Sequence, residues 1–230
     1  IQRGEHTLIL SPTGSGKTMT AFLWGIDTIF RHLRQQPDLE GVQVLYISPL
    51  KALNNDIQRN LREPLAGIRS MARELGAELP PLRMMVRTGD TSASERRRMV
   101  LHPPHILITT PESLYLILTS ARASEMLTSV HTVIVDEIHT LCGNKRGVHL
   151  ALTLERLAAR AAQPFQRIGL SATQRPLEEV ARYLGGSYWH DDGASGLQLT
   201  PRPVTIVDAG TRKPLDVRVV TAVPDLRRVP

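Results

Sequence analysis

One cysteine in 230 residues leaves no partner for a disulfide and too few thiols for a cysteine-built zinc site. Aromatic residues are scarce as well, three Phe, two Trp and four Tyr, which argues against a protein that binds by stacking bases on rows of rings. No apolar run approaches the roughly 18 residues of a membrane span. The N-terminus also lacks the charged, apolar, small-residue order of a secretory signal. A cytoplasmic protein with no membrane partner is expected. What is present is ordinary for a globular domain: 41% hydrophobic and 22% charged residues, a balance that disfavours disorder, in a length that suits one large core.

Acidic charge is in deficit. Lys and Arg number 28 against 22 acids, for a net +6, so a polyanionic partner is plausible. The excess is uneven: between Lys51 and His102 ten basic residues face six acids.

Short apolar runs at Thr7–Leu10, Val42–Ile47, Met84–Val86, Ile106–Ile108, Val133–Val135 and Ile168–Leu170 have the length and branching of strands buried on both faces. Between them lie helical spacings, from Thr18 to about Gln35 and from Gly147 to Ala162, the latter with Leu150, Leu154, Leu157 and Ala161 on one face. Pro176 to Leu184, closed by Gly185-Gly186, reads as a proline-started, glycine-stopped helix. Alternating strands and helices predict an α/β fold with a parallel sheet. His190–Pro203, rich in Gly, Ser, Asp and Pro, reads as a loop, followed by strands at Val204–Val207 and Val217–Val220. Both ends read as cut, with few residues before the first strand and no closing element before Pro230.

The chemistry starts at Ser11-Pro12-Thr13-Gly14-Ser15-Gly16-Lys17-Thr18, between a strand and a helix. Glycines let backbone N–H groups fold around phosphate oxygens, and the helix start adds partial positive charge. In such a loop the lysine (Lys17) reaches the β- and γ-phosphates, and the hydroxyl (Thr18) ligates Mg²⁺. Ser11 stands where the usual pattern has Gly. Val133–Glu137 supplies the second half: Asp136 can hold Mg²⁺, and Glu137 can orient or deprotonate the attacking water. ATP and Mg²⁺ are the expected ligands.

Four further segments follow strands: Ser48–Leu53, Arg87–Asp90, Thr109–Leu114 and Ser171–Thr173. Ligands of an open parallel sheet gather at the carboxyl ends of its strands. The ordered series SPTGSGKT, PLKAL, TTPESL, DEIH and SAT resembles motifs I, Ia, Ib, II and III of superfamily 2 DExH helicases. DEIHTLCGNKRGVHLALTLERL, SATQRPLEEVARYLGG and RPVTIVDAGTRKPLDVRVV are most similar to the large helicase-related (Lhr) branch.

That resemblance implies a three-layer RecA-like P-loop domain over residues 1–200, the first of two motor domains. Residues 201–230 would be connector strands leading toward the second. It implies ATP-driven 3′-to-5′ translocation on single-stranded DNA or RNA, with unwinding of duplexes or RNA–DNA hybrids, a nucleoid location and a link to DNA repair. Lys17 and Glu137 would be catalytic. His139, Ser171, Ala172 and Thr173 would couple hydrolysis to movement, and Pro49, Lys51, Thr110, Pro111 and Glu112 would line the nucleic-acid track. The family's adenine-reading glutamine lies upstream of the loop, and Gln2 is too close to it for that role. The second motor domain carries an arginine finger worth about 10³–10⁵ in rate, so this chain alone is expected to turn over slowly. The alternative is a nucleotide-gated nucleic-acid clamp that does not translocate. An intact Glu137 favours turnover, and the nucleic-acid-type segments disfavour a small-molecule kinase.

Other residues invite plainer readings. His102, His105 and His149 lack the carboxylate or cysteine company of a metal site. Cys142 reads as a contact near the active edge, Arg96–Arg98 as a solvated helix face, and Trp24 and Trp189 as packing residues.

Overall fold

The computed structural model describes residues 1–12, 14–172, 176–191, 193 and 196–210; for residues 51–55 it describes the backbone alone. Seven strands form one parallel sheet: β1 (His6–Leu10), β2 (Val44–Ile47), β3 (Met84–Arg87), β4 (Ile106–Thr109), β5 (Thr132–Val135), β6 (Gln166–Ser171) and, after a hairpin described below, β9 (Val204–Asp208). Their spatial order is β3-β4-β2-β5-β6-β1-β9. Helices α1 (Lys17–Gln35) and α2 (Lys51–Glu74) cover one face. Helices α3 (Ala93–Leu101), α4 (Pro111–Leu118), α5 (Ala121–Ser124), α6 (Lys145–Arg160) and α7 (Leu177–Gly185) cover the other.

Side-chain alternation along each strand builds both cores at once. Leu8, Leu10, Leu45, Ile47, Val133 and Val135 pack with α4, α6 and α7, while Ile9, Val44, Tyr46, Ile134, Ile168 and Leu170 pack with α1 and α2. Two apolar faces explain why the strands read as unbroken hydrophobic runs. Among the described residues no helix is long and apolar enough to cross a membrane.

The sequence reading fails at residues 190–203. In place of a loop, β7 (Ser187–Asp191) and β8 (Leu197–Pro201) pair antiparallel, Trp189 opposite Leu199. The turn-forming residues between the two strands dominate the sequence signal and mask the strands that flank them. Trp189, expected in packing, is 65% exposed on this hairpin. Strand β9 pairs along its whole length with β1, so the main sheet reaches Asp208, past the expected boundary at 200. The strand expected at 217–220 lies outside the described residues.

A buried charge cluster ties β9 to this frame. Arg167, its side chain 2% exposed, donates to Glu155 at 3.0 Å and to the terminal α7 carbonyls of Leu184 and Gly185 at 3.2 and 3.0 Å. Arg202 grips both oxygens of Glu155, at 2.8 and 2.9 Å, and also reaches the Gly185 carbonyl. Two cations at a helix C-terminus complement its dipole. Nearby, His6 Nδ1 accepts the Arg167 backbone N–H at 3.1 Å. Burial first, then the two arginines, lower its pKa to about 4. The folded state therefore refuses a proton that the unfolded chain accepts near pH 6.5, so this contribution is complete above pH 6.5 and is lost as pH falls toward 4. We expect a loss of about 1–2 kcal/mol after allowance for partial solvation. His6→Asn, which keeps an acceptor without the titration, should flatten that part of the melting temperature–pH profile.

Candidate active site

The phosphate loop leaves the sheet between β6 and β9, its two neighbours. The Ser11 N–H donates to the Ser171 carbonyl at 3.2 Å, and Ser15 N–H closes a turn on the Pro12 carbonyl at 3.3 Å. Gly14 and Gly16 have φ of 80° and 87°, with nothing within 4 Å of either Cβ position. Their glycine requirement is therefore a backbone one, and the space beside them is open. Gly16 begins α1, whose first turn has no acid and no side-chain cap, so its N–H groups are available to an anion. Lys17 is 7% exposed, and its Nζ lies 3.4 Å from the Ser11 carbonyl. Thr18 follows in the first turn of α1. Thr13 lies outside the described residues.

Asp136 stands just past β5, 5% exposed, its N–H bonded to the Ile47 carbonyl at 2.9 Å. One carboxylate oxygen accepts the Glu137 N–H at 2.9 Å, and the other accepts the Tyr46 hydroxyl. Tyr46 is fully buried in β2 and stacked on Phe22 at 4.8 Å. Burial and the Asp136 charge raise its pKa, so it remains a phenol and a donor. Sequence reasoning missed it; the visible signal was one hydroxyl in an otherwise aliphatic strand. A buried carboxylate with lone pairs to spare, on the same carboxyl edge of the sheet as an open glycine loop, fits a metal–triphosphate group.

Glu137 is the one non-glycine residue with positive φ among those described, at 46°, a conformation costing about 1–2 kcal/mol. Its carbonyl accepts the N–H and hydroxyl of Thr140, closing a 3₁₀ turn over Ile138–Thr140. That turn sets His139 between two partners. Its Nε2 lies 3.4 Å from Glu137 Oε2 and its Nδ1 lies 3.2 Å from Ser171 Oγ. Ser171 in turn holds Ser11 through its carbonyl, so three segments distant in sequence form one connected site. Ala172 accepts the Ser171 hydroxyl at 2.8 Å. Thr173 lies outside the described residues.

The sequence pattern of DEAD/DEAH box helicases matches residues 1–180. The chain belongs to that family. Among relatives of this helicase domain, ATP-dependent helicase Lhr-Core protein 2 of Thermococcus barophilus is 52% identical over 226 residues, covering 98% of this chain and 25% of that protein. The Lhr helicase/probable uracil glycosylase of Mycolicibacterium smegmatis is 51% identical, over 98% of this chain and 14% of its own length. The structure of Mycobacterium smegmatis helicase Lhr bound to ssDNA and AMP-PNP superposes with a TM-score of 0.80 at 50% identity, covering 99% of this chain and 27% of that one. The chain thus spans a quarter or less of the length of these curated relatives.

The remaining residues expected at the site of this helicase domain sit on the same carboxyl edge of the sheet. Pro49 is buried just after β2. Lys51 opens α2, and its side chain lies outside the described residues. Thr110, 2% exposed, caps α4 by accepting the Ser113 N–H at 3.3 Å, and Pro111 takes the first helical position. Glu112 is gripped through both oxygens by Arg146 in the first turn of α6. Arg146, unmarked in the sequence, holds down the pKa of Glu112. Away from the edge, His105 braces two segments, accepting the Arg83 N–H at 3.2 Å while its Nε2 lies 3.2 Å from the Leu39 carbonyl. Cys142 is half-buried with its pKa raised by burial, and Trp24 lies under Arg31.

Proposed function

We propose that this chain is the ATP-binding first motor domain of an Lhr-type helicase. In the whole protein that helicase would translocate 3′-to-5′ on single-stranded DNA or RNA and unwind duplexes or hybrids. The observation carrying this is the connected site: the loop around Gly14–Thr18, the buried Asp136, and the Glu137–His139–Ser171–Ser11 contacts. A clamp has no need of a carboxylate base wired to the phosphate loop.

In this reading the α1 N–H groups and Lys17 bind the triphosphate, while Thr18 and Asp136 hold Mg²⁺. When bound, the metal neutralises charge on the β- and γ-phosphates. Glu137 takes the proton of the attacking water. Tyr46 and the Glu137 N–H fix the Asp136 carboxylate, and its backbone holds Glu137 beside His139. Because His139 touches both the base and Ser171, a change at the γ-phosphate position reaches the strand end at β6 and Ala172. Pro49, Lys51, Thr110, Pro111 and Glu112 line the track for the strand. The sequence after β9 leads toward a second motor domain, which supplies the arginine finger.

The test is nucleotide binding and ATP turnover by the 230-residue chain, with and without single-stranded DNA and RNA. We expect a non-hydrolysable ATP analogue to bind and turnover to be roughly 10³-fold or more below that of a complete two-domain motor. Fast, nucleic-acid-stimulated turnover by the chain alone would overturn the two-domain reading, and failure to bind the analogue would overturn the nucleotide site.

A further inference from the structure

Three depressions, of about 440, 510 and 230 Å³, line the free edge of β3 between α2 and α3. The first two share Gln58, Arg62 and Met84; the first and third share Arg69 and Arg73. They form one continuous trough. It opens at Thr88 and Thr91, just past the carboxyl end of β3, and runs along α2 from Gln58 to Arg73, about 22 Å by helical rise.

Its middle stretch contains three arginines, Arg62, Arg69 and Arg73, and no carboxylate, above a floor of Leu65, Leu82 and Met84. Among the lining residues acids occur only at the ends, while Glu74, beside the lining, accepts the Ser70 hydroxyl at 3.4 Å. Glu95 is committed to a capping box with Ser92, Asp90 lies at the upper mouth, and Glu78 lies at the lower. Arg62 and Arg73 are exposed. Arg69 donates one Nη to the Pro80 carbonyl at 3.3 Å, and its buried Nε has no partner. Guanidinium groups without acids, spaced along one helix face, are matched to a row of phosphates.

We propose that this trough is a second, sequence-independent path for single-stranded nucleic acid, continuing from the carboxyl edge along the rim of β3. The inference rests on the reading above that this edge binds nucleic acid. Two observations favour a phosphate backbone over an added peptide strand. The mouth adjoins the proposed track, because Arg87 at the end of β3 is in register with Thr109, directly before Thr110 and Pro111. An acceptor that an added strand would need, the Met84 carbonyl, is already approached by the Gln58 amide at 3.5 Å. The aliphatic floor suits sugar and base faces without reading sequence.

The experiment uses the chain, its Arg62→Gln/Arg73→Gln double variant, and oligothymidylates of about 8 and about 24 nucleotides, which bracket a short site and one extended along the trough. Both substituted side chains are exposed, so analogue binding and melting temperature should match the parent and serve as the folding control. For the long oligonucleotide we expect affinity to fall about tenfold and the slope of log K against log salt to shrink by about 1.4, the loss of two phosphate contacts. The short one should bind both proteins equally. Unchanged binding of the long oligonucleotide, with the short one still bound, overturns the trough and leaves the edge reading standing. Failure of the parent to bind either oligonucleotide sinks the edge reading and the trough with it. An oligoglutamate peptide that binds the parent more tightly than the long oligonucleotide, and loses that binding in the variant, replaces nucleic acid with an acidic protein partner.

Discussion

Glu137→Gln, introduced into a full-length protein carrying this chain, should reduce ATP turnover by roughly 10²–10⁴, the usual worth of a positioned general base, and should abolish unwinding with it. Nucleotide binding should be retained. The substitution preserves side-chain length, and Asp136 keeps the Glu137 backbone N–H and the Tyr46 hydroxyl. What disappears is the negative acceptor beside the phosphate loop and the charged partner of His139 at 3.4 Å. Phosphate release and analogue titration, run on the same preparation, separate the two effects. If unwinding survives the change, Glu137 is not the base, and the Glu137–His139–Ser171 chain must be reread as a structural tether.

The second large effect is on stability. Gly147 lies in the first turn of α6, and a Cβ there would stand 1.8 Å from the Leu141 carbonyl oxygen and 2.7 Å from its carbon. Backbone cannot rotate out of the way as a side chain does. Leu141 also ends the turn carrying His139, and the Gly147 carbonyl accepts the Tyr183 hydroxyl at 2.8 Å. Gly147→Ala should therefore cost about 3 kcal/mol or more, above the common overpacking penalty, and lower the melting temperature by roughly 6–12 °C for a domain of this size. Gly67→Ala is the counter-case: a glycine inside α2 with nothing within 4 Å of its Cβ position. It should gain up to about 1 kcal/mol from helix propensity alone. Thermal melts of the two variants against the parent check both signs. Equal behaviour would mean that the α6 start relaxes freely.

Much of this was legible in the residues. Strand runs and their chemistry-bearing ends are local patterns, and a parallel sheet gathers those ends on one edge whatever the loops do. That is how Lys17, Asp136, Glu137, His139 and Ser171 could be grouped before any geometry was known. Partnerships that depend on three-dimensional neighbours were not legible. Tyr46 reaches Asp136 across ninety positions, and Arg146 reaches Glu112 across thirty-four; neither spacing carries a periodic signal. The basic stretch from Lys51 to His102 was visible as an excess of charge, but only the structure assigns it to the two walls of one trough, Arg62, Arg69 and Arg73 on α2 and Arg98 on α3, and sets Arg96, expected on a solvated face, against the Gly89 carbonyl. The hairpin was missed for the opposite reason, because strong turn signals at its tip drowned the weak alternation of Tyr188, Trp189, Leu197 and Leu199. Those residues are half or more exposed, or nearly so, and exposed strands lack the hydrophobic runs that betrayed the others.

The place of β1 in the sheet has a consequence for how such a domain is made. It precedes the other strands of this domain in the chain, yet both of its neighbours, β6 and β9, come late in the domain. The strands made in between can pair among themselves, β2 with β4 and β5, and β3 with β4. The apolar segment His6–Leu10 must wait unpaired for some 160 residues, as non-local pairings do. A nascent chain stopped before Gln166 therefore has a partial sheet and no phosphate cradle, and it offers chaperones a sticky first strand. A ligand of the cradle can stabilise the domain only once β6 is in place, because it binds the folded state alone.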